Sequence, residues 1–338
     1  MQLTVIIPVY NRSSMLAQAL KSLEKQTYQD FKIIVCDDAS QENLREVVDR
    51  FKSLDIEYHY YSSNVGQFKN FQRGEQLCQT PLMKFLYSDD LLFPSALEKQ
   101  VSQLNQNSNA AVCLGGYIEF KEDRSQQDVK LKKGFIPYLP KPRRESQWAE
   151  LEKLNCFFPS AVMYRTDLFR QVGGINTGLQ GIADWEIYLA LLSRYPSVAV
   201  SDPICAMRRH DDQVTTQYNL DSGGIQIHDV LWMTSDANPD RDRVSLPLSQ
   251  QDWLRQQICW RALRTVMTSD KTWFLFQKWL NIVIKNNMPI AMVFGFPHWL
   301  FVKINHKLNY KLNACNNFLA EDKLKDYQKQ IEAIILEN

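Results

Sequence analysis

Lys84-Phe85-Leu86-Tyr87-Ser88-Asp89-Asp90-Leu91-Leu92-Phe93-Pro94 is the stretch on which the fold turns. It opens on an apolar run patterned like a buried strand and closes on two adjacent carboxylates. An apolar pair and a proline then turn the chain into a new helix. Open α/β sheets bind ligands beyond the carboxyl ends of their strands. Hard divalent cations want carboxylate oxygens together with those of a bound phosphate. Asp89 and Asp90 thus propose a place for a metal–diphosphate pair. Taken alone, the pair reads more readily as a turn former or helix cap.

Upstream, strand and helix alternate. Leu3–Val9 is a β-branched-rich run of the kind covered on both faces, broken at Pro8-Val9-Tyr10-Asn11. Ser13 or Ser14 can cap a helix with Leu16, Ala19, Leu20 and Leu23 on one face. Phe31–Cys36 is a second strand ending in Asp37-Asp38-Ala39-Ser40. Ser40 can cap a helix striped by Leu44, Val47, Val48, Phe51 and Leu54. Ile56–Tyr61 is a third strand, followed by Asn64-Val65-Gly66 and a helix through Cys78. The alternation predicts a parallel, doubly wound, Rossmann-like sheet with right-handed crossovers. Tyr10-Asn11, Asp37-Asp38 and Asp89-Asp90 close three of its strands, so they meet on one sheet edge. Neither a GxGxxG nor a GxxxxGK[ST] motif occurs, which leaves phosphate binding to metal and side chains.

Downstream, Leu97, Val101 and Leu104 mark a helix and Ala110–Phe120 a strand. Lys121–Arg144 holds eight Lys or Arg against three acids and reads as a long surface loop, either a solvated insertion or an acceptor-side flap. Ser160–Tyr164 reads as a strand and Thr166–Val172 as a short helix stopped by Gly173-Gly174. Asp184 opens an amphipathic helix through Ser193. Strands at Val198–Val200 and Ile204–Met207 then run into Arg208-Arg209-His210.

Composition shifts after about residue 215, which divides the chain into a domain over 1–215 and a mainly helical subdomain over 216–338. The helices expected there span roughly 224–236, 249–268, 271–286, 289–304 and 314–336. Lys271–Lys311 carries six lysines, no acid and nine aromatic residues. That mixture suits the surface of an anionic membrane, and equally a helical subdomain packed on the core or on a second subunit.

The near balance of 39 Lys and Arg against 38 Asp and Glu argues against general nucleic-acid binding. Seven scattered cysteines, with no CxxC and no Cys/His cluster, support neither a disulfide framework nor a zinc site. A reducing cytosol is the expected compartment. The amino terminus lacks the charged and apolar regions of a signal peptide. No run of 18 apolar residues occurs to span a membrane.

Together these residues resemble the family 2 glycosyltransferases, the inverting enzymes with the GT-A fold, over about residues 3–215. The resemblance is carried by Val5-Ile-Ile-Pro-Val-Tyr-Asn11, Gln26-Thr27, Phe31–Ser40, Asn64-Val-Gly66, Phe85–Asp90 with Pro94, Gly173-Gly174, Asp184-Trp-Glu186 and Met207–His210. It is closest to bacterial enzymes that build surface polysaccharides. It implies a cytoplasmic enzyme, peripheral at the membrane, that moves a sugar from a nucleotide-diphospho-sugar, UDP-linked, to a glycan or a lipid-linked saccharide. By position it implies that Pro8, Tyr10, Asn11, Asp37 and Asp38 hold the nucleotide, Tyr10 stacking and Asp38 accepting from the base. Asn64, Gly66 and Lys69 match the loop that closes over it. Asp89 matches a ligand of Mg²⁺ or Mn²⁺, His210 lies near the diphosphate and the metal, Asp90 orients the donor sugar, and Asp184 matches the general base.

Two positions depart from the family pattern: Tyr87 replaces the first acid of Asp-x-Asp, and Ala183 replaces the acid that precedes the base. They motivate a second hypothesis, a non-catalytic nucleotide-sugar-binding or scaffolding subunit. A nucleotidyltransferase would need a glycine-rich basic loop after the first strand, and Asn11-Arg-Ser-Ser14 is not one. Hydrolysis by a carboxylate pair fits poorly, since nothing asks for a second, water-activating acid.

Overall fold

The computed structural model describes residues 1–123, 128–135, 158–210, 229–230, 232–235, 238–244, 251, 254 and 321–335. Backbone contacts divide the chain into two units. One comprises Met1–Thr177, Ala183–His210 and Phe318–Asn338, the other Gly178–Ile182 and Asp211–Asn317. The sequence reading groups all of 216–338 together, whereas the helix Glu321–Ile335 belongs to the first unit.

The first unit is built on a mixed sheet of nine strands: β1 (Leu3–Val9), β2 (Phe31–Asp38), β3 (Ile56–Tyr61), β4 (Leu82–Phe85), β5 (Leu91–Leu92), β6 (Val112–Asp123), β7 (Asp128–Phe135), β8 (Val162–Arg165) and β9 (Ser197–Arg208). Their order is β3-β2-β1-β4-β8-β6-β9-β5, with β7 paired to β6. The β1–β2, β1–β4 and β2–β3 pairs are parallel, as the alternation of the first 95 or so residues predicts. Helices α1 (Ser13–Glu24), α2 (Leu44–Val48), α3 (Gln67–Leu77), α4 (Ala96–Gln106), α5 (Thr166–Gln171), α6 (Ala183–Arg194) and α7 (Glu321–Ile335), with a 3-10 turn at Pro159–Ala161, complete the described elements of this unit.

Residue parity in β1 sorts the two faces of the sheet. Leu3, Val5, Ile7 and Val9 join Leu16, Leu20 and Leu23 of α1 in one buried cluster. Ile6 points the other way, and a Cβ at Gly74 of α3 would come within 2.3 Å of its Cγ2. Only glycine lets α3 lie that close to the strand. Pro8 sits in an interior strand yet breaks no ladder. The β4 pairing ends where Leu86 donates to the Ile6 carbonyl, so the missing N–H falls past the last bond.

Several elements differ from the sequence reading. The strand of the key stretch ends at Phe85, and Tyr87–Asp90 form a turn. The apolar pair Leu91–Leu92 is itself a strand, antiparallel to β9, because Ala206 and Cys205 offer it a free backbone edge. Within the expected surface loop, Asp128–Phe135 pairs antiparallel with Tyr117–Asp123. Its lysines at 130, 132 and 133, set among Val129, Leu131 and Phe135, hide the strand in the sequence. The two short strands expected before Arg208 are one, β9, which runs parallel to β6 across register shifts at Gly116. Helix α2 is capped by Asn43 and not by Ser40. Helix α6 is buried at nine of its twelve positions, a core helix where a one-sided stripe was expected.

Helix α7 packs Ile331, Ile334 and Ile335 against Leu91, Phe93, Ile118, Phe120 and Ala206. Lys25 Nζ adds a bond to the Ala333 carbonyl at 3.0 Å. The expectations for 249–268, 271–286 and 289–304 lie almost wholly outside the described residues, as does the basic aromatic segment. Among the described residues no helix is long and apolar enough to cross a membrane.

Lys84 lies wholly inside the core, its Nζ donating to Gln100 Oε1 at 2.9 Å and to the Val162 carbonyl at 3.4 Å. Burial lowers its pKa to about 8. An unfolded lysine titrates near 10.4, so the unfolded chain binds the extra proton between these values and stability rises with pH across that window. Lys84→Met removes the effect. Urea unfolding should show the wild type gaining on the variant by about 3 kcal/mol between pH 8 and 10.5. A difference that stays constant with pH contradicts the buried amine.

Candidate active site

The carboxyl ends of β1, β2, β3, β4 and β9 lie on one sheet edge, where they gather the candidate residues. At the end of β2, Asp37 and Asp38 divide two tasks. Asp37 is buried, accepts from the Tyr58 hydroxyl and takes the Ser40 N–H at 2.9 Å. It holds the turn whose Ala39 adopts φ 66°. Asp38 takes the N–H groups of Val65 and Gly66, both at 3.0 Å, and the Arg73 guanidinium at 2.8 Å. Arg73 in turn lies 3.9 Å from the centre of the Tyr61 ring. Asn64 Nδ2 donates to the Asp38 carbonyl at 3.0 Å, and Gly66 closes the loop at φ 85°, a conformation glycine adopts freely. The loop 64–66 is thus tied to the end of β2 through Asp38. Lys69 is exposed on the first turn of α3.

After β1, Tyr10 is exposed, and Asn11 and Arg12 occupy the left-handed region at φ 55° and 66°. Ser40 Oγ accepts the Asn11 N–H at 2.7 Å, and Asn11 Oδ1 accepts that of Gln41 at 2.9 Å. Neither Ser13 nor Ser14 caps α1. Glu42 does so from the neighbouring loop, accepting the N–H groups of Arg12 and Ser13 at 2.8 Å each.

Past β4, Asp89 and Asp90 separate completely. Asp89 Oδ2 takes Arg12 Nη1 at 3.0 Å and faces His210 Nε2 at 3.1 Å. Burial alone raises this carboxyl, but the His210 hydrogen bond and the Arg12 charge outweigh it and hold the group below the usual range. Asp90 is buried between the Ser160 hydroxyl at 2.6 Å and the Arg208 N–H at 3.3 Å. Burial, then the charge of Asp89, pushes its carboxyl well above the usual range.

Tyr87 lies in the same turn, between Phe71 and Phe158. Its ring packs 5.2 Å from Phe71 and 5.9 Å from Phe158, and its hydroxyl accepts from Gln67 Nε2 at 3.2 Å. Its phenol is raised well above the ordinary value by burial, then by Asp184, Tyr164, Asp90 and Asp89. One side chain therefore feels both the candidate base and the acidic pair. Asp184 lies in the first turn of α6, with Oδ1 accepting the Trp185 N–H at 2.8 Å. Its charge also reaches Tyr164 and Tyr188, two stacked and buried phenols whose rings lie 6.4 Å apart.

The chemistry of the donor set tests the fit to a divalent cation. Among the described residues no group of three His, Cys, Asp or Glu converges. Asp89 Oδ2 and His210 Nε2 do converge, at 3.1 Å, and His210 Nδ1 is buried with no hydrogen-bond partner. Two protein donors suit an ion that completes its shell with diphosphate oxygens and water, the usual arrangement for Mg²⁺ beside a nucleotide. The pair fits Mn²⁺ or Mg²⁺ on that condition, with Arg12 now on the oxygen such an ion would take.

Arg208 is the residue that sequence reasoning missed. Wholly buried, it donates from Nε to the Asp89 carbonyl at 3.0 Å and from its two terminal nitrogens to Glu122 and Gln18, above the Phe120 ring. Its place beside His210 was legible; its burial was not, because three of its partners come from other strands, helices and turns.

The model of a protein family described as glycosyl transferase family 2 matches residues 4–173. An uncharacterized glycosyltransferase of Haemophilus influenzae is 25% identical over 222 residues, 63% of this chain and 71% of that protein. The amylovoran biosynthesis glycosyltransferase AmsE of Erwinia amylovora is 24% identical over 285 residues, 81% of this chain and 98% of the relative. Among solved structures, S. aureus TarS 1–349 in complex with UDP-GlcNAc aligns with TM-score 0.65 and 15% identity over 100% of this chain and 91% of that one. A Pyrobaculum calidifontis mannosyltransferase in complex with GDP-Man and Mn²⁺ aligns at 0.53 and 15% identity, covering 100% and 86%. These structural likenesses establish the GT-A fold.

Arg208→Lys keeps the charge but cannot reach Asp89, Glu122 and Gln18 together, and should cost about 3 kcal/mol in urea unfolding. An unchanged unfolding midpoint contradicts the role given to Arg208.

Proposed function

The chain belongs to glycosyl transferase family 2, and from that premise we propose that it transfers a sugar, with inversion, from a UDP-linked diphospho-sugar to a hydroxyl of a glycan or lipid-linked saccharide in surface polysaccharide synthesis. The observation that supports this reading is the gathering of Asp37, Asp38, Asp89 and His210 at the carboxyl ends of the parallel strands. Two relatives support the polysaccharide setting: AmsE by its name, and a Campylobacter jejuni glucosyltransferase named for an undecaprenol-linked substrate, 32% identical over 108 residues or 31% of this chain. The UDP-GlcNAc bound to TarS supports the donor class. We place the enzyme in the cytoplasm, at the membrane surface, where a lipid-linked acceptor is presented.

Each residue then has a task. Tyr10, exposed past β1, offers a ring for the base to stack on, and Pro8 and Asn11 shape the turn beneath it. Asp38 fixes the loop of Asn64 and Gly66 that lies over the nucleotide, and Asp37 stiffens the turn below. Lys69, exposed at the start of α3, offers charge to a phosphate. Asp89 and His210 would hold Mn²⁺ or Mg²⁺, which supplies Lewis-acid stabilisation of the leaving diphosphate. Asp90, buried behind Asp89, sets the turn after β4 and so orients the donor sugar. Asp184 accepts the proton of the attacking hydroxyl on the opposite side from the departing nucleotide.

Asp184→Asn should keep UDP binding by calorimetry and lower sugar transfer about 10²- to 10⁴-fold, the usual range for a lost general base. Transfer at the wild-type rate removes Asp184 from this role. UDP-sugar binding by the wild type with no transfer to any acceptor mixture favours the alternative motivated by Tyr87 and Ala183, a non-catalytic nucleotide-sugar-binding subunit.

A further inference from the structure

The contact between Arg12 and Asp89 is not absorbed by the reading above. A guanidinium stands 3.0 Å from Oδ2, the oxygen that also faces His210 at 3.1 Å. That is the oxygen on which a divalent cation would sit, and two cations cannot share it at contact distance. The backbone that delivers Arg12 is pinned. Residues 11 and 12 are both left-handed, an arrangement that L-residues adopt only when their surroundings impose it. Ser40 and Glu42 impose it here by taking the N–H groups of Asn11, Arg12 and Ser13. The side chain is less confined: it is 27% exposed, against 10% for Asp89. A long side chain on a fixed root can exchange partners without moving the loop.

We propose that Arg12 is the resident counter-cation of Asp89, releasing it to a divalent cation only when a nucleotide diphosphate arrives to receive the guanidinium. The proposal rests on the nucleotide-sugar reading given above. Its chemistry follows from the charges. A cation approaching alone must displace an ion pair and leave Arg12 beside a second positive charge. A diphosphate brings several negative oxygens, and a guanidinium matches phosphate geometry with paired N–H donors. Once Arg12 has turned to the diphosphate, Asp89 Oδ2 faces the ion with His210 beside it. Metal and nucleotide binding thereby become mutually dependent, and linkage requires each to strengthen the other by one factor. The missing acid at Tyr87 fits this device, because a second carboxylate there would hold the ion without help from the nucleotide.

Mn²⁺ binding tests this, followed by the electron paramagnetic resonance signal of the free ion with and without UDP. The proteins compared are the wild type, Arg12→Gln, Arg12→Lys and Asp89→Asn. Arg12→Asn serves as a second neutral variant, since asparagine suits the left-handed conformation. The wild type should bind Mn²⁺ weakly alone and far more tightly with UDP. Both neutral variants should bind Mn²⁺ alone on the order of tenfold more tightly, as expected for the loss of one partly buried competing charge. The strengthening by UDP should shrink by a similar factor, and Arg12→Lys should stay near the wild type. If the neutral variants bind Mn²⁺ alone no better than the wild type while Mn²⁺–UDP still binds through Asp89, the exchange is refuted and the functional reading survives. If no protein shows Mn²⁺ or UDP binding that Asp89→Asn abolishes, the functional reading falls and takes the proposal with it.

Discussion

Two carboxylates on consecutive buried residues cannot both stay charged without separate partners, and this constraint shapes the corner around Asp89 and Asp90. The chain meets it by turning them apart. Asp89 receives Arg12 and His210, whose bonds and charge overcome the cost of burial and hold its carboxyl below the usual range. Asp90 receives a hydroxyl and one backbone N–H, too little to offset burial and its charged neighbour, so its carboxyl is pushed well above the usual range. One acid thus faces Arg12 and His210, and the other is a fastening between the turn after β4, the end of β9 and Ser160. Arg208 completes the fastening by holding the Asp89 carbonyl from behind.

The sheet explains why these groups can meet. Parallel strands deliver their carboxyl ends to one edge, and each end carries a short loop whose backbone is satisfied by a side chain from its neighbour. Glu42 caps α1 from the loop after β2, Asp38 gathers the N–H groups of Val65 and Gly66, and Ser40 holds Asn11. These reciprocal bonds let non-glycine residues remain at positive φ and fix where Tyr10 and Arg12 begin. A site assembled this way is rigid in its backbone and adjustable in its longer side chains.

Much of this was readable in the sequence, for identifiable reasons. The β-branched runs of β1 and β2 admit one reading because both faces are buried, and polar residues at their ends mark the edge where a ligand belongs. The joining of Asp89 to His210 across 121 positions came from the family resemblance, since no local spacing encodes it. What was not readable depends on partners distant in the chain. Ser40 looked like a helix cap but serves Asn11. Lysines hid β7, and the apolar pair Leu91–Leu92 is a strand only because β9 lies beside it. Arg208 stood out only as a neighbour of His210, and the fold alone shows the carbonyl, carboxylate and amide that bury it.

We assign the residues at positions 38, 89 and 184 to one cleft. The most direct measurement is an anomalous-difference diffraction map from crystals soaked with UDP and Mn²⁺. A manganese peak bonded to Asp89 and beside His210 is expected, with the diphosphate adjoining it and the uracil against the edge that carries Tyr10 and Asp38. A nucleotide seated elsewhere, or a manganese peak away from Asp89, would contradict it.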